Sequence, residues 1–212
     1  MTAKIKICGV TLADDAARVS AAGADYVGIN FWPKSKRYVE LSRARMLADA
    51  IRAAGAAKVV GVFVDATAED ITLVHSRVDL DVIQLHGSES RDDVSAIVRA
   101  MNRPAWKAIA MRDARDLEGL ETWPAEALLL DTPTPGKGGS GETFDWSLAR
   151  EARRRYPARA FVLAGGLRPD NVAQAVAEVA PFAVDVASGV ESAPGVKDAD
   201  KLAAFVAAVR GT

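Results

Sequence analysis

The feature that most restricts this chain is an alternation running its whole length. A short apolar segment, a turn and an amphipathic segment follow one another eight times over. Short apolar runs bounded by turn residues read as buried strands, whereas apolar residues three and four apart read as one face of a helix. On this basis strands are expected over residues 4–8, 26–31, 58–64, 81–85, 105–110, 127–131, 160–164 and 183–186. Helices are expected over 12–22, 42–54, 68–78, 92–101, 147–156, 169–179 and 197–209, with a weaker one near 114–120. Thr11 with Asp14, and Ser42, stand where helix caps are expected, and Gly23 and Gly55 where helices stop. Pro169 suits a first helical turn.

A chain of 212 residues is long enough for one well-buried domain and short for two. Eight strand–helix units in that length predict a single (β/α)8 barrel spanning residues 1–212. The competing architecture is a doubly wound open sheet. It would want G-x-G-x-x-G after the first strand, where this chain has Gly9-Val10-Thr11.

Bulk properties exclude several function classes. The net charge of −1 gives no electrostatic case for nucleic acid or a membrane surface. A single cysteine cannot build a disulfide framework, which fits a reducing cytoplasm, and with two distant histidines it makes no zinc pattern. The amino terminus lacks the apolar stretch of a signal peptide, and no apolar run is long enough to span a bilayer. Barrel packing accounts for the apolar faces, which leans toward a monomer.

In parallel α/β folds, ligands gather at the carboxyl ends of the strands, so residues there are weighed first. Cys8 ends the first strand. A free cysteine is often only a small buried hydrophobe, but as a thiolate it can act as a base. Lys6, on the same strand face, is expected to favour that thiolate. Asp131 closes the apolar run Leu128-Leu129-Leu130, where a carboxylate is costly unless solvated, paired or used. A partly desolvated aspartate can hold its proton and serve as an acid.

Gly165-Gly166 and Ser188-Gly189 follow the seventh and eighth strands. Small residues there let backbone N–H groups approach a phosphate, and these are the loops that commonly bind one in such barrels. The glycine-rich stretch from Gly138 through Gly139, Ser140 and Gly141 to Phe144, Asp145 and Trp146 is either a connector or a wall over the substrate. Gln84 and His86 share one strand face by parity and are expected to line the barrel. Asp185 on the eighth strand is expected to point inward, behind the groups that touch substrate, and Arg37 sits in a basic loop where it could pair with a carboxylate.

Together these stretches resemble a known family. K-I-C-G-V-T, G-I-N-F-W-P-K-S-K-R-Y-V, V-I-Q-L-H-G, L-L-L-D, G-G-S-G-E-T-F-D-W, L-A-G-G-L-R-P-D-N-V and V-D-V-A-S-G-V-E-S-A-P-G-V-K-D occur in the order and spacing of phosphoribosylanthranilate isomerase. The resemblance implies the third step of the tryptophan branch, an Amadori rearrangement of a phosphosugar–anthranilate substrate without metal or cofactor. It makes Asp131 the general acid and Cys8 the general base. It assigns Arg37 to the anthranilate carboxylate and Gly166 with Ser188-Gly189 to the phosphate. Gln84, His86, Gly139, Gly165 and Asp185 complete the expected substrate-binding set. Ala187 departs from the pattern, where a second serine is expected, and costs one hydroxyl near the phosphate. The alternatives are another phosphosugar barrel, such as an epimerase, and a non-catalytic phosphometabolite-binding barrel.

Overall fold

In the structure, a computed structural model describing residues 2–132 and 145–212, eight parallel strands close into a barrel in chain order. They are β1 (Lys4–Cys8), β2 (Tyr26–Asn30), β3 (Lys58–Phe63), β4 (Val82–Leu85), β5 (Ala105–Ala110), β6 (Ala127–Asp131), β7 (Ala160–Leu163) and β8 (Ala183–Val186). β1 pairs with both β2 and β8. That closure rules out the doubly wound sheet, which has two open edges.

The helices are α1 (Ala13–Ala21), α2 (Leu41–Ala54), α3 (Ala68–Val78), α4 (Arg91–Met101), α5 (Trp146–Arg155), α6 (Val172–Val179) and α7 (Ala199–Arg210). Local chemistry starts several of them. Thr67 and Asp70, and Ser90 and Asp93, form reciprocal capping boxes at α3 and α4. Asp145 and Asp198 accept backbone N–H groups at the starts of α5 and α7.

Elsewhere tertiary contacts override the local signal. Thr11 does not cap α1, because its hydroxyl donates to the Gly195 carbonyl at 2.7 Å. Ser42 lies inside α2, which starts one residue earlier after Glu40. Asn171 bonds back to the Arg168 N–H and the Gly166 carbonyl, so Pro169 stays in a loop and α6 starts at Val172. The weak helix expected after β5 is two short 3-10 turns, Ala114–Leu117 and Leu120–Thr122, separated by Gly119 at φ 68°. After β8 the chain forms a 3-10 turn, Ser188–Val190, and a hairpin of β9 (Glu191–Ala193) and β10 (Val196–Lys197) that the sequence did not announce.

Strand parity divides the core into two layers. Ile5, Ile7, Val27 and Ile29 pack outward beneath the helices, each burial stabilising by about 1.5–3 kcal/mol. Tyr26, Val60, Val62, Val82, Trp106, Leu129 and Val162 fill the barrel. Tyr26 meets Trp106 edge-on, with ring centroids 4.7 Å apart, toward the amino ends of the strands. Toward the carboxyl ends the inward positions turn polar: Lys6, Cys8, Gln84, Asp131 and Asp185 share the inward parity of these residues. The barrel is therefore plugged at one end and chemically armed at the other.

Candidate active site

A cavity of about 720 Å³ opens at the carboxyl ends of the strands, within the usual range for small-molecule sites. Cys8, Arg37, Gln84, His86, Asp131, Gly165, Gly166, Asp185, Ser188 and Gly189 all line it. Gly139, with the rest of the Gly138–Gly141 stretch and Phe144, lies outside the described residues. Asp145 and Trp146 start α5, and Trp146 packs against the outer core, so neither forms a wall of the cavity.

Cys8 stands at the end of β1, in register with Gly28 of β2. A β-carbon at Gly28 would lie 2.8 Å from the Cys8 sulfur and 3.3 Å from Lys6 Nζ. The missing side chain is what lets thiol and ammonium share this space. The expectation that Lys6 tips Cys8 to the thiolate needs correcting. Lys6 is committed to Asp185 at 2.8 Å, and burial pushes the Cys8 thiol up despite the opposing pull of Lys6. Burial also works against the Lys6 charge, but Asp185 and Cys8 together hold the ammonium above its ordinary value.

Asp131 ends β6. Its Oδ1 accepts the Thr132 N–H at 2.8 Å, and its Oδ2 lies 3.2 Å from His86 Nε2. Gln84 Nε2 lies 3.1 Å from His86 Nδ1. Assigning the Gln84 amide as donor to Nδ1 places the ring proton on Nε2, facing Asp131. Gly165, at φ 83°, presses its α-carbon against this acid; a β-carbon there would strike Thr132 Oγ1 and lie 3.0 Å from Asp131 Oδ1. β1 and β6 are three strand positions apart around the eight-stranded barrel. Cys8 and Asp131 therefore approach the cavity from different sides, although the strand diametrically across from β1 is β5.

Gly166 carries φ 62°, a backbone conformation that favours glycine. Gly189 has no room for a side chain because the Leu167 carbonyl abuts its α-carbon, which draws the loops after β7 and β8 together. Ser188 and Gly189 open a 3-10 turn, whose first N–H groups have no partner inside the turn.

Two charged residues escaped the reading of the sequence. Glu191 and Lys197 on the hairpin are buried and bridged at 2.8 Å, and Arg37 is bound to the same Glu191 carboxylate. Arg37 and Lys197 hold that carboxylate below its ordinary range against the effect of burial. The available signal was two charges within the small-residue stretch after β8. The Arg37 stem crosses Gly9, where a β-carbon would collide with it.

Residues 5–208 match the model of the family described as N-(5'-phosphoribosyl)anthranilate (PRA) isomerase. The chain belongs to this isomerase family. Within the N-(5'-phosphoribosyl)anthranilate isomerases it is 46% identical to the Magnetococcus marinus protein over 211 residues, covering 99% of this chain and 96% of that one. It superposes with a TM-score of 0.86 on the crystal structure of monomers generated from the dimeric Thermotoga maritima isomerase, at 41% identity, covering 99% of this chain and 100% of that one. A further isomerase structure, in complex with reduced 1-(o-carboxyphenylamino)-1-deoxyribulose 5-phosphate, gives a TM-score of 0.86 at 40% identity with the same coverage.

Proposed function

We propose that Asp131 is the general acid and Cys8 the general base of this site. The chain isomerises N-(5-phosphoribosyl)anthranilate to 1-(2-carboxyphenylamino)-1-deoxyribulose 5-phosphate, a step of tryptophan biosynthesis. The observation that carries the residue assignment is that one cavity receives both the thiol of β1 and the carboxyl of β6.

Asp131 gives its proton to the furanose ring oxygen. The bond from that oxygen to C1 breaks as the anthranilate nitrogen lone pair forms a C1=N iminium. The carboxylate left behind meets two donors already in place, His86 Nε2–H and Thr132 N–H, which stabilise the charge as it develops. The Cys8 thiolate then removes the proton from C2. The freed electron pair makes the C1=C2 bond and neutralises the iminium, giving an enolamine. Protonation at C1 and loss of the C2 hydroxyl proton yield the ketone. Substrate and product are isomers, so no electrons enter or leave.

Arg37 takes the anthranilate carboxylate, while the N–H groups of Gly166, Ser188 and Gly189 take the phosphate. Ala187 supplies no hydroxyl there, so the backbone does that work. Gln84, His86 and Asp185 face the sugar, and Gly165 keeps the space Asp131 needs.

The test follows the fluorescence of the anthranilate group, with substrate generated in situ, for wild type, Cys8→Ala and Asp131→Asn. Each variant is expected to lose about 10²- to 10⁴-fold in kcat with the fold intact. Wild-type turnover in either variant removes that residue's role; tight product-analogue binding without turnover in wild type would favour a binding-only barrel.

The chain is read as a cytoplasmic monomer. A lone free thiol suits a reducing compartment. The exposed large apolar residues Leu12, Tyr38, Met46, Leu73, Phe182 and Val196 fall on separate elements and loops. Light scattering behind size exclusion, with the dimer as the contrary result, checks the oligomeric state.

A further inference from the structure

The Arg37 guanidinium is held before any substrate arrives. Its Nε donates to Glu191 Oε1 at 2.8 Å and its Nη2 to Oε2 at 2.6 Å, a two-pronged pairing that fixes the guanidinium plane. The same carboxylate accepts from Lys197 Nζ at 2.8 Å. That ammonium also donates to the carbonyls of Cys8 at 2.6 Å and Ala187 at 3.3 Å. Glu191 is 7% exposed and Lys197 4%. One carboxylate thus joins the loop after β2, the end of β1 beside the base, and the backbone leading into the Ser188-Gly189 turn.

The mechanism gives Glu191 no proton to move and no reacting atom to touch. Glu191 borders the cavity, but both of its oxygens are taken by Arg37 and Lys197, and of these two cations Arg37 lines the cavity. Among the described residues Arg37 Nη1 has no hydrogen-bond partner, and the side chain lines the cavity. Two cationic side chains share the single Glu191 carboxylate. Burial pulls the Lys197 ammonium below its ordinary value against the hold of Glu191, whereas Glu191 keeps Arg37 firmly charged, so the charge left to meet an anion resides on Arg37. A guanidinium on a surface loop would otherwise sample many rotamers, and fixing it beforehand removes that entropic cost from binding.

We propose that Glu191 is a positioning residue for substrate recognition, holding Arg37 so that its remaining N–H edge selects substrates with a carboxylate on the aromatic ring. Lys197 completes the device by fixing the backbone before the phosphate turn, so the two anion sites keep a set separation. This rests on the reading of Arg37 given above.

The test is calorimetric binding of two probes, reduced 1-(o-carboxyphenylamino)-1-deoxyribulose 5-phosphate and its counterpart lacking the carboxyl group. Glu191→Gln is expected to weaken the first probe roughly 10- to 100-fold, the worth of charge-assisted hydrogen bonds, and to leave the second unchanged. In an Arg37→Ala background Glu191→Gln should add nothing, since both changes remove the same contact. Glu191→Asp, which retains the charge, should restore part of the discrimination and serves if the glutamine variant does not fold. Equal weakening of both probes, additivity with Arg37→Ala, or tighter binding from the extra positive charge overturns the proposal. If Arg37→Ala alone binds both probes as wild type does, the assignment of Arg37 itself falls and takes this proposal with it.

Discussion

Lys6 and Asp185 meet at 2.8 Å inside the barrel, in register on adjacent strands, with the lysine wholly buried. Such a pair adds little net stability, because desolvating two charges offsets their attraction, yet removing one partner strands the other. Lys6→Met is therefore expected to destabilise the fold by about 3–5 kcal/mol. Lys6→Met combined with Asp185→Leu should recover most of it. Urea unfolding measures both, and a single-variant loss below about 1 kcal/mol would indicate a solvated pair.

The Cys8 thiol, raised by burial, holds its proton to higher pH than a free cysteine. Less of it is ionised at neutral pH, so iodoacetamide should modify it with a pH midpoint above the ~8.5 of an unperturbed thiol. In the free enzyme kcat/KM should climb with pH on the alkaline side for the same reason. Alkylation faster than that of glutathione at neutral pH would contradict this ordering of burial over Lys6.

Gly165 links backbone conformation to the acid. At φ 83°, with Thr132 and Asp131 against its α-carbon, Gly165→Ala combines left-handed strain of about 1–2 kcal/mol with displacement of the Asp131 carboxyl. A large fall in kcat with a modest fall in melting temperature is expected. Unchanged kcat would show that Asp131 tolerates the shift.

Glu191 titrates below its ordinary 4.5 in the folded chain, so the folded state favours its charged form. Its contribution is fully present above about pH 4.5, the unfolded value. It is lost as the pH falls through the lower folded value. Urea unfolding between neutral and acid pH should show a steeper acid loss in wild type than in Glu191→Gln; parallel curves would mean the pairing adds nothing to stability.

The barrel was legible because its signals are local. The alternation along Lys4–Cys8 and the helix stops at Gly23 and Gly55 each act within a few residues of themselves. The failures occurred where a distant partner outbid a local one. Thr11 bonds to Gly195 instead of capping α1, and Asn171 closes a loop where Pro169 suggested a helix.

By itself the sequence determined the order of the units, the placing of Cys8 and Asp131 at strand ends, the shared face of Gln84 and His86, and the glycine turns after β7 and β8. Periodicity and backbone preference are properties of short segments, so a sequence carries them openly. Only the tertiary structure decided which charges meet. Glu191 finds Arg37 across 154 residues, and Lys6 finds Asp185 across 179. Burial, which no local pattern measures, then set the sense in which the Cys8 thiol shifts.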